Sequence, residues 1–440
     1  MSTTTLAEPT SQSERIVMLD SLRGIAILGI LLMNIPSFSV PGVVGYDPST
    51  LNEYGTINYY LWYFVNGVMD GTQRGLFSIL FGAGILLFVG RKENNMNGLQ
   101  PADYFFRRQL WLMVLSLFDV YILLWSGDIL FDYACYGMML FVFRKLPPKT
   151  LLIAASVCFV LILARDNRDL YERKETIAIG EAVAAIDTTK TKLTPLQKEE
   201  LGSMTDFKER STKASKLKRM EKAIEKVQGN YKSVYDYRTN IYVDNIVEYT
   251  YFQCWDVFMF MLFGMALFKM EILTGDASAL TYAWMAVIGL GFGITLSYFH
   301  LQTQVNVHFN GFEYIKQLPF QYYQVTRALR TIGIFGLIML LHKSGWFTWL
   351  FSMLRPVGQM ALTNYLMQSF ICSMIFNGFA FGLFGKLQRY EIYLVVAAIW
   401  LFQIIFCNIW MRYFLYGPFE WVWRSLTYWK KQAFVKTAIA

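Results

Sequence analysis

Apolar residues in this chain come in runs of about 20, separated by short polar stretches and by one long one. A run of that length matches a helix crossing the hydrocarbon core of a bilayer. The pattern predicts about ten spans: 22–43, 75–91, 108–125, 128–144, 150–164, 247–268, 279–299, 325–342, 359–383 and 391–412. Segment 57–69 is aromatic and apolar but too short to span, which predicts a helix lying at the membrane interface. The predicted fold is all-α, a polytopic integral membrane helical bundle.

Three parts follow from the spacing. Residues 1–164 hold about five spans and the interfacial helix. Residues 165–246 form a charged extracytoplasmic loop, partly helical, with its clearest helix from Lys213 to Val227. Residues 247–440 hold the other spans and an aromatic-basic tail, Tyr416 to Lys431, of membrane-surface composition. Arg23, Arg91, Arg107, Arg108, Arg144, Lys145, Lys269 and Lys343 fall on one side of the predicted membrane, along with Arg15, Arg355 and Arg412. The short segments of the other side carry only Arg74, Lys316, Arg327, Arg330, Lys386 and Arg389. That asymmetry puts both termini in the cytoplasm.

Composition agrees: 55% of residues are hydrophobic and 16% charged, too few charges for a soluble protein of 440 residues. Met1 to Glu14 are polar and lack a basic n-region or a small-residue cleavage site, so the first span is expected to be retained. The net charge of +8 is explained by bases at helix ends, without an anionic partner, and no nucleic-acid signature is present. Cys135, Cys158, Cys254, Cys372 and Cys407 lie in apolar runs at no metal-ligand spacing and read as small buried hydrophobes. No metal cluster is predicted.

Ionisable groups inside a bilayer are costly, so each is a candidate for function. In the first span an acid–base couple, Asp20 and Arg23, runs into Met33-Asn34-Ile35-Pro36, an amide beside a helix breaker. At ~100° per residue Arg23 and Asn34 share a face, ~16 Å apart along the axis. In the outer half of the bundle, Asp119, Asp128, Asp132 and Asp256 join Arg327 and Arg330, which predicts a water-accessible charged cavity; structural ion pairing is the alternative. In the ninth span Gln359, Thr363, Asn364 and Gln368 form a polar stripe, for which interhelical hydrogen bonding is the commoner reason. Gly24, Gly29, Gly82 and Gly84 are expected to allow close helix approach. His300 and His308 fall in an external segment and His342 at a cytoplasmic helix end.

Leu19-Asp20-Ser21-Leu22-Arg23-Gly24 with Asn34, Leu76-Phe77-Ser78-Ile79-Leu80-Phe81-Gly82-Ala83-Gly84 and Gly127-Asp128-Ile129-Leu130 resemble the YeiB-like family of bacterial inner-membrane proteins, a domain of unknown function. So do Gly358-Gln359-Met360-Ala361-Leu362-Thr363-Asn364-Tyr365 and the tail from Gly417-Pro418-Phe419-Glu420-Trp421. The Asp20…Arg23 opening is also distantly similar to transmembrane acyltransferases of the heparan-α-glucosaminide N-acetyltransferase and sugar O-acetylase type. That resemblance implies transfer of an acyl group from a cytoplasmic donor to an extracytoplasmic acceptor. Where the O-acetylases place an essential histidine after the arginine, this chain has Asn34, an amide that does not exchange a proton near neutral pH.

Three readings stand side by side. In the first, an acyltransferase-like enzyme takes acyl-CoA as candidate donor and a glycan or small polar acceptor, with Arg23, Asn34 and Asp128 as catalytic candidates. Substrate would then be bound by Asp20, Asp119, Asp132, Asp256, Arg327, Arg330, Asn364 and Gln368. The base would be Asp128 or a histidine, His300 or His308, folded back over the cavity. In the second, the same acids serve a permease for a small polar solute, with Pro36 and Asn34 supplying a broken helix. In the third, the protein is a non-catalytic scaffold. The bilayer is the one partner common to all three, and the sequence does not specify an oligomeric state.

Overall fold

The computed structural model describes residues 17–96, 98–190, 192–248, 250 and 254–436. Met1 to Glu14 and Arg15 lie outside the described residues, as do 249 and 251–253 of the span expected at 247–268. Among the described residues the chain is helical, with one isolated bridge between Phe414 and Val435.

Helix α1 (Val17–Ser39) carries Asp20 in its first turn, where an acid complements the unpaired amides. It runs unbroken through Pro36. The expected helix break is therefore absent: the proline sits in the last turn, where its missing N–H forfeits a single hydrogen bond, and the helix ends three residues later. After the short α2 (Gly42–Gly45), α3 (Ile57–Phe64) passes through a π-helical turn, Val65–Met69, towards α4 (Thr72–Asn95). The aromatic segment thus continues into the next span, and Ile57–Asn95 together are long and apolar enough to cross a membrane. Its Trp62 is buried against Leu301 and Phe309.

Helices α5 (Gln100–Tyr121) and α6 (Leu130–Leu140) pair, and α7 (Pro148–Ala184) runs for 37 residues. The span expected at 150–164 is thus the first part of a helix that projects well beyond it. Helices α8 (Pro195–Arg210), α9 (Lys213–Val227) and α10 (Tyr231–Val247) follow. Thr194, Thr212 and Asn230 cap them, each side chain accepting from an amide of the first turn. The second half contains α11 (Cys254–Lys269), α12 (Ala279–Asn306), α13 (Gly311–Gln317) and α14 (Tyr323–Lys343). It closes with α15 (Thr348–Gln359), α16 (Ala361–Phe376), α17 (Arg389–Tyr413) and α18 (Pro418–Tyr428).

Six described segments are long and apolar enough to cross a membrane: Val17–Ser39, Ile57–Asn95, Pro148–Ala184, Ala279–Asn306, Tyr323–Lys343 and Arg389–Tyr413. These mark a multi-pass membrane protein. The other expected spans coincide with α5, α6, α11 and α16, which are shorter or carry more charge.

Two buried apolar clusters build the bundle, one centred on α4, α11 and α14, the other on α15, α16 and α17. Helix α1 contributes to both. It lies so close to α15 that a Cβ on Gly24 would strike the Leu354 carbonyl, and one on Gly358 would strike the Asp20 carbonyl. Helices α4 and α11 meet in the same way, with Gly82 against the Met261 carbonyl and Gly264 against that of Ile79. At the Ser39 end, α9 and α10 pack down on the bundle. Lys216 Nζ donates to Asp47 Oδ2 and to the Phe309 carbonyl, both at 2.7 Å. Arg238 donates to the carbonyls of Ser37 (3.0 Å) and Phe38 (3.2 Å), at the C-terminal end of α1.

Candidate functional site

Two cavities enter the bundle from opposite ends. The first, about 250 Å³, opens at the start of α1 among Asp20, Arg23, Arg91, Arg108 and Arg424. Its deeper walls are apolar and aromatic: Leu80, Phe81, Ile85 and Leu112, then Tyr133, Tyr365 and Ile129. The helix spacing expected of Asp20 and Arg23 is realised, with Arg23 Nη1 donating to Asp20 Oδ1 at 3.0 Å. Gln359 Nε2 donates to the other carboxylate oxygen at 3.1 Å, so Asp20 ties α1 to α15. The Arg108 guanidinium stacks 3.9 Å from the Trp423 ring and 4.9 Å from Phe88, in cation–π contact. Helix α18 roofs this mouth. Its Glu420 accepts from the Thr363 amide (3.0 Å) and hydroxyl (2.5 Å), and Trp423 Nε1 donates to the Arg108 carbonyl (2.8 Å). The mouth is therefore rich in guanidinium groups, and the interior is not.

The second cavity, about 460 Å³, is lined mostly by charged and polar side chains, with Ile30, Met33, Ile129 and Ile162 among them. Ile30, Met33 and Asn34 of α1 line it, together with Asp70, Gln73 and Arg74 from around the start of α4. Its outer wall is the projecting part of α7, with Arg165, Asp166 and Asp169. Asp256 is the centre of its ionic set, receiving guanidinium hydrogen bonds from both Arg74 and Arg327. Gly71 makes that convergence feasible. It adopts φ 70°, a left-handed conformation that suits glycine, and a Cβ there would run into the Arg327 side chain and the Tyr323 hydroxyl.

Ile129 lines both cavities. Its amide donates to the Tyr365 hydroxyl (3.2 Å), which in turn donates to Asp128 Oδ1 (3.2 Å). Tyr133, which faces the first cavity, shares a 2.6 Å hydrogen bond with Ser78 and donates to the Arg74 carbonyl at 3.2 Å, on the side of the second. A thin septum of Ile129, Tyr133 and Tyr365 thus divides the two spaces.

The structure sorts the sequence-predicted residues into three groups. Asp20 and Arg23 line the first cavity; Asn34, Asp256 and Arg327 line the second. The shared face of Arg23 and Asn34 is real, but the two residues serve different spaces. The remaining candidates line neither. Asp128 is held by Ser116, by Tyr365 and by the Phe131 amide at the start of α6, so it positions the septum and lines neither cavity. Asp119 is fully buried nearby, and no hydrogen-bond donor reaches either oxygen among the described residues. Asp132 accepts from Thr250 Oγ1 (2.7 Å). Arg330 donates to the carbonyls of Asn66 (2.8 Å) and Gly67 (3.0 Å), pinning the π-helical turn. Asn364 and Gln368 tie α16 to α17 through Cys407 and Gln403. The expected charged cavity exists, but without Asp119, Asp128, Asp132 and Arg330 in its wall. His300 and His308 are also outside it: His300 is buried near Tyr314, Tyr322 and Tyr323, and His308 packs against Tyr54. Arg74, Asp70, Asp166 and Tyr365 are the additions that the sequence pattern did not single out.

A multi-pass helical bundle with two opposed cavities is the class that this geometry defines. Residues 267–430 match the family described as protein of unknown function (DUF418). The uncharacterized protein YxaH of Bacillus subtilis is 29% identical over 440 residues, covering 98% of each chain. The uncharacterized protein YeiB of Escherichia coli is 28% identical over 418 residues, covering 94% of this chain and 96% of its own. An uncharacterized 39.9 kDa protein from the amylase 3' region of Bacillus acidopullulyticus is 25% identical over 433 residues, covering 96% of this chain and 97% of its own. Over nearly its whole length the chain is thus similar to these uncharacterized bacterial proteins. No solved structure matches it.

Proposed function

We propose that this protein crosses the bacterial inner membrane about ten times with both termini in the cytoplasm, and passes an acyl group from a cytoplasmic donor to an acceptor outside. The observation that carries this reading is the pair of cavities meeting at Ile129. Their linings differ in the way that two different substrates require. A mouth bearing Arg23, Arg91, Arg108 and Arg424 suits a phosphate-bearing donor, and the apolar interior behind it suits a thioester arm. The polar space beyond suits a hydrophilic acceptor. In the transfer, the acceptor nitrogen or oxygen attacks the thioester carbonyl, the carbon–sulfur bond breaks, and the departing sulfur takes up the acceptor's proton and leaves as the thiol on the side it entered. Asn34 presents an amide beyond the septum, where charge on the carbonyl oxygen would need a donor. Asp128 acts through Tyr365 as a positioning group.

Reconstituted vesicles test this, with radiolabelled acetyl-CoA on one face and amine-bearing or glycan acceptors on the other. Labelled acceptor is expected, falling at least tenfold in Ile129→Trp, which thickens the septum, and in Arg108→Ala, which weakens the donor mouth. The closed septum also fits an occluded solute carrier. Absence of transfer from any acyl donor, together with solute accumulation that is lost in Ile129→Trp, would establish that second reading and overturn the first.

A further inference from the structure

The mouth of the first cavity holds positive charge that the surrounding side chains do not balance. Arg23, Arg91, Arg108 and Arg424 line it against Asp20 and Glu420. Both acids are already engaged, Asp20 by Arg23 and Gln359, and Glu420 by Thr363. Glu420 stands one turn before Arg424 on α18, the spacing of a helical ion pair, yet it turns to Thr363 instead. Arg108 and Arg424 consequently meet no carboxylate or carbonyl acceptor among the described residues. Each lies against rings: Arg108 against Trp423 and Phe88, and Arg424 at 4.6 Å from Tyr416. Ring contacts hold a guanidinium in place while leaving its N–H donors free.

The two guanidiniums belong to different elements. Arg108 is part of the wall, on α5, and Arg424 is part of the roof, on α18. They are near enough for their charges to act on each other. Alone, the two repel, which works against the Glu420 and Trp423 contacts that hold the roof down. An anion that reaches both reverses the sign. Each guanidinium fork matches the oxygens of one phosphoryl group, so two forks on two elements match two linked phosphoryl groups.

We propose that a diphosphate group binds between Arg108 and Arg424 and fastens α18 over the first cavity, so that the roof closes on its own ligand. This rests on the transfer reading only in taking the mouth as the ligand's entrance, and it adds a ligand class and a moving part. A nucleotide-type thioester and a lipid diphosphate share that chemistry, and each carries a long arm for the interior behind Arg108.

Hydrogen exchange of the detergent-purified full chain tests the clasp, with inorganic pyrophosphate, orthophosphate and sodium chloride compared at equal ionic strength. Saturating pyrophosphate is expected to slow exchange over 418–428 by about tenfold, the factor that one good charged hydrogen bond supports, and to leave α17 unchanged. Orthophosphate and chloride should slow it far less. Arg108→Gln and Arg424→Gln should each abolish the slowing while α17 exchanges as in the wild type. Equal slowing by orthophosphate or chloride, no slowing by pyrophosphate, or slowing kept in both variants would overturn the proposal. Acetyl-CoA and farnesyl diphosphate then separate the two sources: the one that slows 418–428 at the lower concentration names the ligand, and a roof that answers to neither would count against the clasp as well. A roof that answers to pyrophosphate in a chain that transfers no acyl group would keep the clasp and sink the transfer reading. Full transfer by Arg424→Gln would sink the clasp alone.

Discussion

Asp256 shows how much a single buried carboxylate carries in this bundle. It receives Arg74 from α4 and Arg327 from α14, and its side chain is only 3% exposed. Removing the shared partner leaves Arg327, only 4% exposed, uncompensated in the wall, while Arg74, 36% exposed, stays open to water. Asp256→Asn is therefore expected to destabilise the protein by about 3–5 kcal/mol, the range for breaking a buried ion pair from one side. Arg327→Met combined with Asp256→Leu should cost markedly less than the single change, because the buried guanidinium goes with its partner and only Arg74, 36% exposed, is left unpaired. Chemical denaturation in mild detergent, followed by tryptophan fluorescence, checks both; a single variant as stable as wild type would show that the contact contributes nothing. The sequence made part of this legible. An acid and a base three residues apart on a helix declare their pairing, as Asp20 and Arg23 do. Arg74 and Asp256 lie 182 residues apart, and no local spacing could join them. The periodicity gave Asp119 and Asp128 their depth in the bundle, yet depth does not say whether a side chain looks into a void or into a neighbouring helix.

Helix α18 is amphipathic and lies across the mouth of the first cavity, where two kinds of contact hold it. Glu420 reaches back to Thr363, and the Trp423 indole donates to Arg108. The Thr363 hydroxyl also accepts from the Phe419 amide (3.1 Å), satisfying an orphan N–H in the first turn of α18. Thr363→Val keeps the side-chain shape while deleting the two hydrogen bonds of the hydroxyl, to Glu420 and from Phe419, and leaving the Thr363 amide on Glu420. It is expected to loosen α18, with hydrogen exchange over 418–428 rising by about tenfold, as a loss of roughly 1–2 kcal/mol gives. Exchange in α17 should stay at the wild-type level. Unchanged exchange over 418–428 would mean that the aromatic stacking alone holds the roof. At this scale the hydropathy pattern served well for helices such as α12 and α17, whose length and apolar character leave little choice. It served less well at Pro36, because a proline ends a helix only where several turns remain to be disrupted, and α1 was already finishing. It also stopped α7 at its first charges. Charged residues such as Arg and Glu are good helix formers, so the hydrophobic run ends while the helix does not.

At the scale of the whole molecule the two cavities acquire meaning only from the direction in which the bundle faces. The guanidinium-lined mouth lies at the end where α1 starts, near the C-terminal end of α4 and the N-terminal half of α5. The ionic cavity lies at the end covered by α7, α9 and α10. Basic residues in short connections favour the cytoplasm, so the proposed topology puts the first mouth at the cytoplasmic face and the long charged segment outside. This orientation is independent of any chemistry and is checked by thiol labelling. Ser203 on α8 and Asn95 at the end of α4 are both exposed and lie towards opposite ends of the bundle. Ser203→Cys is expected to react with a membrane-impermeant maleimide in cells whose outer envelope is permeable to it, and Asn95→Cys only after the inner membrane is opened. The wild-type chain is the control, since its cysteines lie within the helical bundle, with Cys158, Cys372 and Cys407 buried. The reverse labelling order would turn the molecule over. The arginine mouth would then face away from the phosphate-bearing donors of the cytoplasm, and inward acyl transfer or solute uptake would become the reading that fits the same two cavities.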